Sequence, residues 1–166
     1  MPDVEFVLAG GRMRGHEALH DSVVYRTAKL PNVRFAGFVP YAEIAEYFGT
    51  AELLLSTSDG AQEGFPNVFL QAWSVGLPVI STCDPDGVIE EHGLGSVQDC
   101  TSALVDAIRR FRGDTDLREA CGNRARAYVM EHHSPDRVGH QLNHLLTELL
   151  GADYSTTEPV GEAVTR

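Results

Sequence analysis

Residues 53–80 read LLLSTSDGAQEGFPNVFLQAWSVGLPVI, and the reading of this stretch decides the fold class. Glu52 to Ser56 form a short, mostly apolar strand, followed up to Gly64 by a loop of small, polar and acidic residues. Pro66 suits the first position of a helix, because its missing N–H would be unpaired there in any case. Val68, Phe69, Leu70, Ala72, Trp73 and Val75 make that helix apolar nearly all round, and Gly76 suits the position that ends it. Pro78 to Ser81 then returns as a strand. Strand, loop, helix and strand in this order are a βαβ crossover. Its loop sits at the carboxyl end of the first strand, where open α/β sheets bind ligands.

The same alternation extends outward. Val4 to Ala9 reads as a buried strand running into Gly10-Gly11, and His16 to Lys29 as a helix ended by Pro31. Val33 to Val39 is a second strand, and Pro40 opens a helix over Tyr41 to Phe48 with Ile44, Ala45 and Phe48 on one face. After the crossover, Asp84-Pro85-Asp86-Gly87 is a turn leading to a short helix at Val88 to His92 and a weak strand over Gly93 to Val97. Helices follow at Thr101 to Phe111, Thr115 to Glu131 and Asp136 to Leu150, with Asp114 and Ser134 as N-caps of the last two. The expectation is an α/β domain over residues 1–150: a Rossmann-like parallel sheet with helices on both faces and a helical C-terminal segment. Residues 151–166 have little to bury and are expected to be a disordered tail.

Composition narrows the partners. With a net charge of −11, nucleic acid and anionic membrane are poor matches, since phosphate backbones attract Lys and Arg. No apolar run approaches the roughly 18 residues of a transmembrane helix, and the start lacks a secretory signal pattern. Cys83, Cys100 and Cys121 are odd in number and lack metal-ligand spacing, so they read as buried thiols in a reducing, cytoplasmic compartment.

The chemistry concentrates in the central loop. The amides of Asn67 and Val68 at the helix start, with the helix dipole behind them, make an anion site suited to a phosphate. Asn67, Gln71 and Ser74 form the helix's single polar stripe, as expected of a helix lining a polar cavity. Glu63 would repel a phosphate, so its partner is another part of the same ligand, and hydroxyl groups suit a carboxylate acceptor. Phosphate beside hydroxyls describes a nucleotide sugar. Taken alone, Glu63 reads equally well as a solvated loop residue that favours the helix dipole.

Glu63-Gly64-Phe65-Pro66-Asn67-Val68-Phe69-Leu70, with Ala72-Trp73 and Gly76-Leu77-Pro78-Val79-Ile80, resembles the donor-binding signature of the GT-B retaining glycosyltransferases of family 4. Pro31 to Val39 resembles that family's strand before the nucleobase pocket, which implies a pocket role for Phe38 and Val39, and the Asp84-Pro85-Asp86-Gly87-Val88-Ile89 loop resembles one polysaccharide-making branch. The likeness spans about Asp3 to Leu150. It implies the C-terminal, donor-binding half of a GT-B fold, with Glu63 catalytic at the donor sugar. Gly64, Phe65, Pro66, Asn67 and Val68 would hold the sugar and phosphates, and Gln71 would face the ribose. The donor would be a UDP- or GDP-sugar, with no metal and no cofactor required. The acceptor would be a saccharide or a lipid-linked saccharide, in envelope polysaccharide or glycoconjugate synthesis.

Two departures qualify the likeness. The family's second signature carboxylate is here Gln71, which bonds hydroxyls without charge assistance. The family's preceding strand and helix, with a basic pair for the diphosphate, are not matched, nor is its acceptor-holding N-terminal domain. That domain is expected in cis or as a separate chain, and would bring the protein to the inner face of the membrane. An unpaired sheet edge is expected to favour a homodimer. The alternative reading is a non-catalytic module that binds a nucleotide sugar or another protein, as a remnant or one subunit of a split enzyme.

Other patterns carry less. His16-Glu17-Ala18-Leu19-His20 spells HExxH, the zinc-protease pattern, but lacks a third ligand and falls on a peripheral helix of the resemblance. His140 and His144, with His132 and His133 nearby, read as a solvated helix face rather than a metal site.

Overall fold

The structure is a computed structural model that describes residues 1–58, 60 and 64–151. The chain divides into two compact units, Met1–Thr50 and Ala51–Arg166. Parallel sheets carry helices on both faces, in the Rossmann-like α/β arrangement expected of the sequence.

The first unit holds β1 (Phe6–Ala9), α1 (Glu17–Thr27), β2 (Val33–Gly37) and α2 (Tyr41–Thr50). β1 and β2 run parallel, Phe6 opposite Val33 and Ala9 opposite Gly37, with one extra residue accommodated in β2. The Asn32 amide ties the entry to β1 by donating to the carbonyls of Met1 and Val4 at 3.0 and 2.9 Å. β1 is not the buried strand its apolar run suggests. Val7 and Leu8, which point to opposite faces, are 41% and 37% exposed. An apolar run specifies a strand; burial needs cover, and among the described residues α1 packs mainly on β2.

The second unit holds the core. β3 (Leu54–Ser56), β4 (Val79–Ser81) and β5 (Gly95–Val97) form a parallel sheet in that order, with β4 central and fully buried. Between and after them lie α3 (Asn67–Ser74), a single 3₁₀ turn at Pro85–Gly87, α4 (Val88–His92), α5 (Thr101–Gly113), α6 (Thr115–His132) and α7 (Pro135–Leu150). Phe69, Ala72 and Trp73 from α3 join Ile80, Ile89, Leu94 and Phe111 in the interior. Asp114 caps α6 by accepting from the Leu117 N–H at 2.8 Å, and the Ser134 hydroxyl caps α7. Pro66 stands one position before the place expected of it: its ψ of 116° is extended, so it is the N-cap of α3 and Asn67 is the first helical residue.

α6 organises this unit by meeting the carboxyl ends of three helices. α3 ends in a Schellman motif: the Leu77 N–H bonds the Ala72 carbonyl, the Gly76 N–H bonds the Trp73 carbonyl, and Gly76 adopts φ +77°. The Val75 carbonyl left over is taken by the Arg126 guanidinium at 2.7 Å. Arg124 Nε and Cys121 Sγ donate to the Gly93 carbonyl behind α4, at 3.0 and 3.2 Å. Arg118 donates to the Phe111 and Arg112 carbonyls of α5 at 2.6 and 2.7 Å. Each cation thus sits at the negative end of a helix dipole and satisfies carbonyls that the helix cannot. Gly122 lets α6 approach this closely, since a Cβ there would run into the Gly76 carbonyl oxygen.

Candidate functional site

The carboxyl ends of β3 and β4 are laced together. The Thr82 N–H donates to the Ser56 carbonyl at 3.1 Å, and the Thr82 hydroxyl to the Ser58 carbonyl at 2.9 Å. The Ser81 hydroxyl accepts from the Cys83 N–H at 3.1 Å. The loop between β3 and α3 therefore leaves the sheet from a fixed base, at the edge where parallel sheets bind ligands. Glu63 lies outside the described residues.

From Gly64 onward the geometry is defined. Gly64 is exposed and Pro66 buried. The Phe69 N–H turns back to the Pro66 carbonyl at 3.0 Å, closing the first turn of α3. By helix geometry the amides of Asn67 and Val68 have no acceptor within the helix, so they are the donors available at this end. Asn67 and Ser74 are exposed and Gln71 half-buried, while Phe69, Ala72 and Trp73 on the other side are fully buried. The polar stripe is thus the open face of α3, and its opposite face is core. Gly64, Phe65, Pro66, Asn67, Val68 and Gln71 are brought together on one loop and helix start. Phe38 (76% exposed) and Val39 (half-buried) belong to the first unit, with the Phe38 ring against Gly11.

Below β4, Asp84 places the next loop. Its carboxylate accepts from the Ile89 and Glu90 N–H groups at 2.8 and 3.1 Å, so one side chain caps α4 across the 3₁₀ turn. The turn requires Asp86 at φ +56° and Gly87 at φ +74°.

Phe65 rests on an aromatic cluster that the sequence pattern does not show. Its ring meets Trp73 edge-on at 6.0 Å and His133 at 5.8 Å. Tyr128 is the hub, 5.7 Å from Trp73, 4.8 Å from His92, 4.7 Å from His132 and 5.4 Å from His133. His132 and His133 are therefore half-buried, not the solvated pair expected, because α6 turns into α7 there and carries them onto α3 and α4. Burial holds the His133 imidazole below its usual range, with His132 adding to the effect. Burial, and then the carboxylates of Asp86 and Glu91, raise the Tyr128 phenol. A residue spacing of 3.6 links positions within one helix; nothing in it links α3, α4 and the end of α6.

The remaining motif residues have local roles. Glu17 accepts from the Gly15 N–H at 3.1 Å, and backbone hydrogen bonds at Glu17 and Gly15 lower its pKa. His16 precedes α1, and His20 packs edge-on against Phe35 at 5.5 Å. His140 and His144 are exposed, with His144 3.4 Å from Glu148. Of the three thiols read as buried, only Cys121 is; Cys100 is exposed at the entry to α5 and Cys83 half-buried.

The family profile described as "Glycosyl transferases group 1" matches residues 1–114. The chain is similar to the amylovoran biosynthesis glycosyltransferase AmsK of Erwinia amylovora, 32% identical over 95 residues covering 51% of this chain and 23% of that protein. It spans 23% and 30% of the lengths of two curated relatives that it matches. Among solved structures, HepE of Anabaena in complex with UDP-glucose aligns with a TM-score of 0.77 at 22% identity, over 89% of this chain and 42% of that one. Sucrose-phosphate synthase from Thermosynechococcus elongatus aligns with a TM-score of 0.70 at 22% identity, over 87% and 38%. At these identities the two structures speak for the fold.

Proposed function

The chain belongs to the group 1 glycosyl transferases, of GT-B type, and from that membership we propose that it is the donor-binding part of a retaining family 4 enzyme. The donor is a nucleotide sugar, UDP- or GDP-linked. Its diphosphate meets the Asn67 and Val68 amides at the positive end of α3, its ribose faces Gln71, and its sugar hydroxyls meet Glu63. Phe38 and Val39 belong to the nucleobase side. The observation that carries this reading is the start of α3: an extended Pro66 cap at the carboxyl edge of a parallel sheet, with the polar stripe open and the opposite face locked in the core.

Transfer then needs a second body to hold the acceptor, a saccharide or lipid-linked saccharide, supplied in cis or by a separate chain at the inner face of the membrane. The similarity to an amylovoran biosynthesis glycosyltransferase supports an envelope polysaccharide product. In this scheme the protein supplies backbone donors and carboxylate acceptors, and neither metal nor cofactor is called for. The partly exposed Val7 and Leu8 side chains of β1 suit cover by another polypeptide, a second copy included.

Calorimetric titration of the chain with UDP, GDP and their sugars tests the reading. Binding of one nucleotide class, lost in Glu63→Ala for the sugar-bearing ligand, is expected. No binding to any of them sinks the donor role for this chain alone. The second reading, a non-catalytic module, is favoured by Gln71 standing where the resembled signature has a carboxylate. It predicts no transfer even when an acceptor-holding chain is added, whereas a split enzyme gains transfer on that addition.

A further inference from the structure

We infer that His133 is a positioning residue for the Gly64–Phe65 step: as a neutral imidazole it holds the Phe65 ring against Trp73, and its protonation frees that ring and loosens the entry to α3. Its bearing on donor binding rests on the reading above; the ring contacts do not.

Phe65 is held from two directions. Trp73, fully buried, comes from the second turn of α3, the helix that follows Phe65, and His133 from the end of α6. The backbone of His133 is fixed where α6 stops: its N–H bonds the Val129 carbonyl at 2.8 Å, and Ser134 begins the cap of α7. The imidazole is thus mounted on a rigid elbow rather than on a loop. The Phe65 side chain in turn sets the backbone just before the Pro66 cap, from which the first amides of α3 are aimed.

The chemistry of the seat distinguishes the two protonation states. His133 Nε2 is buried and, among the described residues, has no hydrogen-bond partner. A neutral ring can leave that nitrogen without a proton. An imidazolium must carry an N–H there, and among the described residues no acceptor stands within reach of it. Its ring neighbours are Phe65 and Tyr128, whose ring faces attract a cation, and beside it stands His132, which repels one when charged. Among the described residues, the other charged or titratable groups facing the cluster are His92 and Glu91 of α4, Asp86 of the 3₁₀ turn, and Glu131, 4.0 Å from His132. The two carboxylates of Asp86 and Glu91 act on Tyr128 at the hub, and Glu131 lies by His132. Desolvation therefore prevails over the ring attraction, in keeping with the downward displacement of His133.

Trp73 is the chain's one tryptophan, so its emission reports this cluster alone. In the full chain, Trp73 emission should show a transition with its midpoint below pH 6.5, the ordinary value for histidine. His133→Phe should abolish it, while His132→Gln and His92→Gln should keep it. Hydrogen exchange of a peptide containing Gly64 and Phe65, compared between wild type and His133→Phe at one acidic pH, should be several-fold faster in the wild type. His133→Ala should exchange fast at every pH, a loss that His133→Phe rescues and that a merely structural role would not tie to pH. A transition that survives His133→Phe, or a flat wild-type profile, overturns the inference. If the transition stands but no nucleotide or nucleotide sugar binds at any pH, the ring contact is kept and the donor reading falls. If binding is found but emission and exchange are flat, the donor reading is kept and the His133 role falls.

Discussion

At the scale of single residues, Gln71 is the informative departure. It sits half-buried on the open stripe of α3, one turn beyond Asn67, so a ribose hydroxyl in the proposed pose would meet an amide oxygen where the resembled signature implies a carboxylate. Charge assistance is worth about 1 kcal/mol, so Gln71→Glu should tighten nucleotide binding about fivefold at neutral pH. Unchanged or weaker affinity by titration calorimetry would place the ribose elsewhere. The thiols separate equally clearly. Cys100 should react first with a thiol reagent, Cys83 more slowly, and Cys121 only on unfolding. The Cys121 thiol is buried, bonded to the Gly93 carbonyl and pushed up to about 11, so it offers almost no thiolate at neutral pH. Fast labelling of all three, read by mass spectrometry of the native protein, would contradict the packing of α6 on α4.

At the scale of elements, α3 is a short helix, and short helices owe their stability to packing rather than propensity. Two features of α6 supply that packing: the closeness allowed by Gly122 and the Arg126 bond to Val75. Gly122→Ala should destabilise the chain by about 1–3 kcal/mol, because backbone must shift to admit the methyl group. Arg126→Ala should lose about 1 kcal/mol, since water replaces the exposed guanidinium at the last carbonyl. Urea unfolding followed by Trp73 emission measures both. An Arg126→Ala loss larger than that of Gly122→Ala would reverse the assigned order of importance.

At the scale of the whole molecule, two buried groups shape the pH dependence of stability in opposite senses. His133 has a folded pKa below its unfolded value of 6.5, so the unfolded chain takes up the proton first. Its contribution is complete above that pH and is lost as the pH falls toward the folded value. Cys121 has its pKa raised from 9.0 to about 11, so the unfolded chain releases the proton first, and stability declines as the pH rises between those values. His133→Phe should flatten the acid limb and Cys121→Ala the alkaline limb of a plot of unfolding midpoint against pH. A limb unchanged by its own substitution would assign it to other groups.

The sequence by itself determined the order of elements, the caps at Asp114 and Ser134, the end of α3 at Gly76, and the open stripe of Asn67, Gln71 and Ser74. All of these are set by residues within a turn or two of one another, where side-chain spacing and backbone preference act directly. The tertiary structure alone decided that β1 leaves Val7 and Leu8 partly exposed, and that three arginines of α6 close three other helices. It alone decided that His132 and His133 leave solvent to pack around Tyr128, with His133 against Phe65. Those outcomes depend on which distant segments meet, and a local pattern carries no information about that: the same apolar run or histidine pair is buried or exposed according to what the rest of the chain lays over it.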